Sequence, residues 1–173
     1  MNILMKAMEI KNNKRAYLRY YKETYGLSLM KHQLDLIESK DEIIEISFPR
    51  QFGGTTALLI KAIEYAINNQ MSEVMILGNS KIQMNYAFEA AKGFIERNTI
   101  SRYILRITKN PHNIDFINGS KISFVSSKAI ESVRGRRIDC LIVDGRRYIS
   151  DDEFDCACAC TCKNPNRQIV ILN

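Results

Sequence analysis

Apolar positions along the chain follow two rhythms. Residues 43–48 (Ile43-Ile44-Glu45-Ile46-Ser47-Phe48) and 73–78 (Glu73-Val74-Met75-Ile76-Leu77-Gly78) are short, dense apolar runs. Runs of this kind mark strands buried on both faces. The segments 139–144, ending Leu141-Ile142-Val143-Asp144, and 168–172 belong to the same class. Between them, Leu58, Leu59, Ala62, Ile63, Ala66 and Ile67 recur at helical spacing and predict a helix over 55–69. A further helix is predicted over 80–96. Strands alternating with helices predict an α/β fold whose mainly parallel sheet is covered on both faces, a three-layer sandwich.

Three stretches depart from that rhythm. Residues 9–26 are polar, basic and rich in tyrosine (Tyr17, Tyr20, Tyr21, Tyr25), and predict a helix stopped by Gly26. Ser28 has the chemistry of an N-cap for a second helix through Leu29, Leu34 and Ile37. Asn118-Gly119 lies between two β-like runs in 114–125, and both residue types tolerate positive φ, so an antiparallel hairpin is predicted beside the parallel sheet. A helix is expected after Ser150. The organisation is an N-terminal helical segment, 1–27, followed by the α/β unit, 28–173, with no repeat or linker inside it.

The chain has 173 residues, enough for one domain with a real core. Its net charge of +6 points to a polyanionic partner, most often nucleic acid, with a mildly basic enzyme as the alternative. Lys11, Lys14, Arg15 and Arg19 are the candidate phosphate contacts, set against a solvated helix face whose tyrosines pack on the domain. No apolar stretch approaches the roughly 18 residues that a membrane span needs, so no membrane role is expected. The N-terminus is too short and too polar for a signal peptide, and a cytosolic setting is expected.

Five cysteines without a secretory signal argue for reduced thiols. Four of them fall at Cys156, Cys158, Cys160 and Cys162. On an extended segment this spacing puts them on one face, where a soft metal could bind. Structural zinc sites use Cys-x₂₋₄-Cys pairs, often with histidine, and His32 and His112 are remote in sequence. Unliganded thiols are therefore the default.

The chemistry concentrates in Ser47-Phe48-Pro49-Arg50-Gln51-Phe52-Gly53-Gly54-Thr55-Thr56, a glycine-bearing turn between a predicted strand and a predicted helix. This is the layout of a P-loop, where backbone N–H groups and the helix dipole converge on phosphate. Thr55 is placed to ligate Mg²⁺, and Asp144, closing an apolar strand, to hold the same ion through water. The alternatives are an ordinary strand-to-helix connection and a turn-initiating Asp-Gly. Two charges of such a site are missing: Gly54 stands where the lysine belongs, and Gly145 where a catalytic glutamate often stands.

These motifs resemble the ATPase domain of the large terminase subunit of tailed bacteriophages, the motor that packages DNA into empty capsids. Pro49 to Thr56 resembles the family's Arg-Gln-x-Gly-Lys-Thr-Thr loop apart from the lysine, and Lys31-His32-Gln33 resembles its glutamine motif. Asn118 to Ser126 followed by Glu131-Ser132-Val133-Arg134-Gly135 resembles its hairpin and Ser-x-Arg-Gly segment. The resemblance runs from about residue 28 to the end. It implies that Gln33 reads the adenine edge and that Arg50 touches the phosphates of ATP or ADP. Gln51, Gly53, Gly54, Thr55 and Thr56 form the cradle, and Thr55 with Asp144 holds Mg²⁺. Arg134 is implied as an arginine finger acting in trans. Implied partners are double-stranded DNA, a portal or small terminase subunit, and further copies in a ring. The implied setting is the infected host's cytoplasm, transiently at the capsid.

The missing charges temper the implied activity. Losing one positioned charge in a phosphoryl-transfer site costs roughly 10²–10⁵ in rate, so slow hydrolysis is expected. The resemblance also places a coupling motif after Ile171-Leu172 and a nuclease domain beyond it, and neither occurs within these 173 residues. Two other readings stay open. One is a pseudo-ATPase that binds nucleotide or DNA without turnover. The other is a superfamily-2 helicase-like domain, disfavoured by Asp144-Gly145 in place of Asp-Glu.

Overall fold

The computed structural model describes residues 14–49, 51–161 and 165–173, with side chains from residue 20 onward. In chain order the elements are α1 (Lys14–Tyr25), α2 (Lys31–Glu38), β1 (Ile43–Ile46), α3 (Gly54–Asn68), β2 (Glu73–Gly78) and α4 (Lys81–Glu96). Then come β3 (Ile104–Lys109), β4 (His112–Phe116), β5 (Lys121–Ser126), β6 (Cys140–Asp144), α5 (Asp151–Ala159) and β7 (Gln168–Leu172). Short 3₁₀ turns lie at Thr99–Tyr103, Ser127–Val133 and Arg146–Tyr148.

Among the described residues the strands form one seven-stranded sheet in the order β1-β7-β6-β2-β5-β4-β3. The strands β1, β7, β6, β2 and β5 pair in parallel, whereas β4 pairs antiparallel with β5 and β3 antiparallel with β4. Every residue of β6 and β7 is buried, which is why both are apolar apart from Asp144 at the end of one and Gln168 at the start of the other. Helices α1 to α4 cover one face, where Ala57, Ala62 and Ala66 have no exposed surface and let α3 sit close against the strands. The turn Ser127–Val133 and α5 cover the other face. This is the expected three-layer α/β sandwich with its hairpin.

Four local expectations change. The cap of α2 is Met30, not Ser28: Gln33 Oε1 accepts from the Met30 N–H at 2.9 Å, the reach-back half of a capping box, and the Gln33 N–H donates to Met30 O at 3.0 Å in place of a serine hydroxyl. The hairpin is part of a three-strand meander, because residues 104–109 form an edge strand with half-exposed alternation that carries little periodic signal. Gly119 takes φ +81 in its turn, but Asn118 has no positive φ and instead donates to the Ala66 (2.8 Å) and Ile67 (3.2 Å) carbonyls at the end of α3. Cys156 and Cys158 lie in a helix and Cys160 caps it, so the extended geometry is not formed over these three, and Cys162 lies outside the described residues.

The N-terminal helix is pinned by its tyrosines. Tyr21 and Tyr25 join the core, and the hydroxyls of Tyr20 and Tyr25 donate to Glu64 Oε1 at 3.0 and 2.6 Å. Burial pushes the Glu64 carboxyl up, and these tyrosine hydrogen bonds pull it the other way. Lys61, also buried, donates to the carbonyls of Ile37 (3.1 Å) and Ser39 at the end of α2, and burial lowers its pKa. Both charges tie α1 and α2 to α3, and hence to the loop that α3 terminates.

Candidate functional site

The loop after β1 is shaped from α2. Gln51 and Gly53 both take left-handed backbone, φ 68 and φ 72, and Gly53 caps α3. Consecutive residues of α2 hold the loop's carbonyls: His32 Nε2 lies 3.2 Å from Phe52 O, and Gln33 Nε2 donates to Gly53 O at 3.0 Å. The His32 ring packs edge-on against Phe48 with centroids 4.8 Å apart. The Gln33 side-chain oxygen accepts from Met30 and its nitrogen donates to Gly53, so both ends of the amide are held, and the residue is 5% exposed. The first intrahelical bond of α3 runs from Ala57 N to Gly53 O at 3.0 Å. The N–H groups of Gly54, Thr55 and Thr56 therefore precede the helical ladder, the arrangement that receives an anion.

Across the sheet, Thr55 Oγ1 donates to Asp144 Oδ2 at 3.0 Å, joining the loop to the end of β6 over 89 residues of sequence. Asp144 is 6% exposed. Burial pushes its carboxyl up, while hydrogen bonds from Thr55 and Gln83 act in the opposite direction. A hydroxyl and a carboxylate in contact are hard oxygen donors of the type Mg²⁺ takes, so the residues present fit that ion. Thr55 and Asp144 line an open cleft of about 520 Å³ together with Ser80, Ile82, Gln83 and Tyr86. The cleft lies outside the carboxyl ends of β6 and β2, whose onward connections cover opposite faces of the sheet. Such a switch point is where open α/β sheets place ligands.

Residues 46–152 match the family model of the terminase large subunit, T4-like-virus type, N-terminal region. The chain belongs to this family. Solved terminases share its fold. The large terminase of bacteriophage HK97 superposes with a TM-score of 0.75 at 14% identity, over 85% of this chain and 33% of that one. The large terminase ATPase domain of Thermus phage P74-26 gives 0.70 at 14% identity, over 90% of this chain and 68% of that one. A large terminase from a thermophilic bacteriophage, in complex with ATP-γ-S, gives 0.65 at 12% identity, over 83% and 37%. The chain thus spans about a third of the length of the HK97 protein. Among curated proteins none matches the sequence.

Within this terminase fold the two missing charges have structural counterparts. A Cβ at Gly54 would stand 2.9 Å from Leu172 Cδ2 and 3.2 Å from Phe48 Cδ2, both side-chain rather than backbone atoms. Gly145 is more constrained. It takes φ 85 and ψ 56, and a Cβ there would meet the Tyr148 ring at 3.3 Å. The neighbouring arginines are occupied elsewhere. Arg146 donates to Ile149 O at 2.8 Å, pairs with Asp151 and lies over the Phe154 ring at 4.2 Å, so it braces the start of α5. Arg147 is exposed and lies over the Tyr148 ring at 4.7 Å.

The remaining candidates are scattered. Arg134 is exposed and paired with Glu131 at 2.7 Å. It adjoins Val133, whose carbonyl faces Cys160 at the end of α5 remote from Ser150, and so lies away from Thr55 and Asp144. Arg50 and Lys11 fall outside the described residues. Lys14, Arg15 and Arg19 belong to α1, with side chains outside the described set. No group of three His, Cys, Asp or Glu among the described residues is placed to hold a metal ion. Nor, among them, is any helix long and apolar enough to cross a membrane. Sequence reasoning did not single out Gln83. The Ser80-x-x-Gln83 spacing is a legible cap signal, but the amide's contact with Asp144 is made across 61 residues.

Proposed function

We propose that this chain binds ATP or ADP with Mg²⁺ in the cleft between the loop and Asp144, as the ATPase-like domain of a phage DNA-packaging motor, and hydrolyses it slowly or not at all. The observation that carries the reading is the 3.0 Å contact between Thr55 Oγ1 and Asp144 Oδ2, which joins two candidate metal ligands from distant parts of the sequence. In this reading the N–H groups of Gly54, Thr55 and Thr56 cradle phosphate, with Arg50 and Gln51 contributing from the loop. Thr55 ligates the ion, and Asp144 holds it through water. The metal would neutralise charge on the phosphates and align them. Gln33 reads an adenine edge with the amide hydrogen and oxygen lone pair not used by Gly53 and Met30. Arg134, lying away from its own chain's cleft, acts on a neighbouring copy in a ring.

Slow turnover follows from Gly54 and Gly145, each of which lacks a group whose loss costs roughly 10²–10⁵ in rate. Double-stranded DNA, a portal or small terminase subunit, and the cytoplasm of an infected cell complete the proposal. The left-handed backbone at Gly145 favours a second reading, a nucleotide-binding module without turnover, because that position does not readily accept glutamate. Measuring nucleotide affinity and turnover on one preparation, with and without DNA, separates the two. Binding without turnover selects the module, slow metal-dependent turnover lost in Asp144→Ala selects the motor, and absence of binding removes both.

A further inference from the structure

Gln83 occupies the first turn of α4, where its backbone is fixed before its side chain acts. Ser80 Oγ accepts from the Gln83 N–H at 3.2 Å, the expected bond of a serine N-cap. The side chain then folds back across the strand ends. Its Oε1 accepts from Asn79 N at 2.9 Å, and its Nε2 donates to the backbone carbonyl of Asp144 at 3.1 Å. The amide spans β2 and β6 where their ladder ends, at the register pair Gly78 and Asp144. The backbone beneath it has to be bare. A Cβ at position 78 would come within 2.7 Å of Gln83 Oε1 and collide with the Met84 methyl.

We propose that Gln83 is a positioning residue that holds Asp144 in register for a divalent cation. The inference rests on the reading of Thr55 and Asp144 as the metal site of a nucleotide. Two restraints then act on Asp144 from opposite sides. Thr55, on α3, fixes the carboxylate, and Gln83, on α4, fixes the main chain that carries it. Neither restraint takes up all the lone pairs of the carboxylate, so metal or metal-bound water can still approach. Groups that orient a ligand without touching the ion commonly change metal affinity by about 10–100-fold when removed. Gln83 also lines the cleft, so nucleotide binding is felt at the same side chain that ties β2 to β6.

The test is the metal-dependent part of nucleotide affinity. ADP is titrated into the full chain with Mg²⁺ and again with EDTA, and the ratio of the two affinities is compared among the unaltered chain, Gln83→Leu and Gln83→Met. Leucine removes both hydrogen bonds. Methionine, neutral and close to glutamine in length, removes them with less change of shape, and it serves if leucine prevents folding. The expected result is a ratio lowered about tenfold or more in either folded variant, over and above any smaller change that both affinities share. An unchanged ratio overturns the inference. A parallel fall in both affinities also overturns it, because that is general loosening of the cleft. Absence of ADP binding by the unaltered chain under both conditions overturns the nucleotide reading itself, a result distinct from either of these.

Discussion

Gln33 Nε2 donates to the carbonyl oxygen of Gly53 at 3.0 Å, so close that a Cβ on residue 53 would collide with it. The helix before β1 and the loop after it are therefore fitted to one another, and glycine is required at 53 on two counts. Its φ of 72 costs an ordinary L-residue about 1–2 kcal/mol, and the amide leaves no room. Gly53→Ala is expected to lose more stability than the backbone term alone. Gln33→Ala in the same chain should return the steric part and not the conformational part. A double-mutant cycle by denaturant unfolding measures the coupling. Additive effects would mean that the two residues do not constrain each other.

The vacant charge positions differ in how they accept replacement. At Gly54 a lysine needs only a shift of the Leu172 and Phe48 side chains, whereas at Gly145 a glutamate must adopt left-handed backbone against the Tyr148 ring. Gly54→Lys should fold with a melting temperature near that of the unaltered chain and raise nucleotide affinity. Gly145→Glu should lower stability by about 1–2 kcal/mol. The double variant should turn over ATP faster than either single one, and by less than the missing groups are worth elsewhere, because strain competes with alignment at 145. Thermal melts and steady-state turnover on the three variants check this. Robust turnover by the unaltered chain would refute the premise.

Much of the frame was legible because burial on two faces leaves a dense apolar signature. The runs ending at Gly78, Asp144 and Leu172 are central parallel strands, whereas the run ending at Ile46 is a parallel edge strand beside β7 with Ile43 exposed, and the spacing of the four fixes the helices between them. The edge strand Ile104–Lys109 lacks that signature, since a half-exposed edge accepts Arg106 and Thr108 as readily as Ile107. The cysteine segment was open between extended and helical readings. Ser150 and Glu153 form a capping box, and Asp151 and Asp152 fill an acidic first turn, so its helical outcome has a local cause. Of the site, Thr55 and Asp144 could be named from motifs. The engagement of Gln33 with Gly53 and of Gln83 with Asp144 could not, because each depends on side chains meeting across folded layers.

Glu153 offers a pH test of that capping box. Lys128 Nζ donates to its Oε1 at 2.9 Å and Ser150 N to its Oε2 at 3.0 Å, and these bonds hold the carboxyl down at about 2. The folded value lies below the ordinary carboxylate value of about 4.3. The stabilisation is therefore complete above that ordinary value and disappears as pH falls toward about 2. Glu153→Gln keeps the reach-back bond of the capping box and removes the pair with exposed Lys128 together with the charge at the helix start, so it should cost under about 1 kcal/mol at pH 7, and the difference from the unaltered chain should shrink on acidification. Melts from pH 7 to pH 2.5 read this directly. A difference that grows on acidification would reverse the assigned sign.

DNA contact is the last expectation, and the structure bears on which surface makes it. The net charge of +6 allows weak, sequence-independent binding in which Lys and Arg displace counterions from phosphates. One candidate surface is the arginine group from Arg134 to Arg147. Its charges are largely committed: Arg134 pairs with Glu131, Arg136 with Glu73 and Arg146 with Asp151. The other surface is the N-terminal segment with Lys11, Lys14, Arg15 and Arg19. Its helix is anchored through Tyr21 and Tyr25, while Lys22 is exposed to solvent. Those pairs weigh against the arginine group, and the four cations clustered in sequence make the N-terminal segment the expected contact. Neutralising its four cations should flatten the salt dependence of duplex binding by about 3–4 units and leave nucleotide affinity alone. Neutralising Arg137 and Arg147 should leave the slope near its original value. Titrations from low to physiological salt decide between them: a slope carried by the arginine group reassigns the surface, and no binding at low salt removes DNA as a direct partner of this domain.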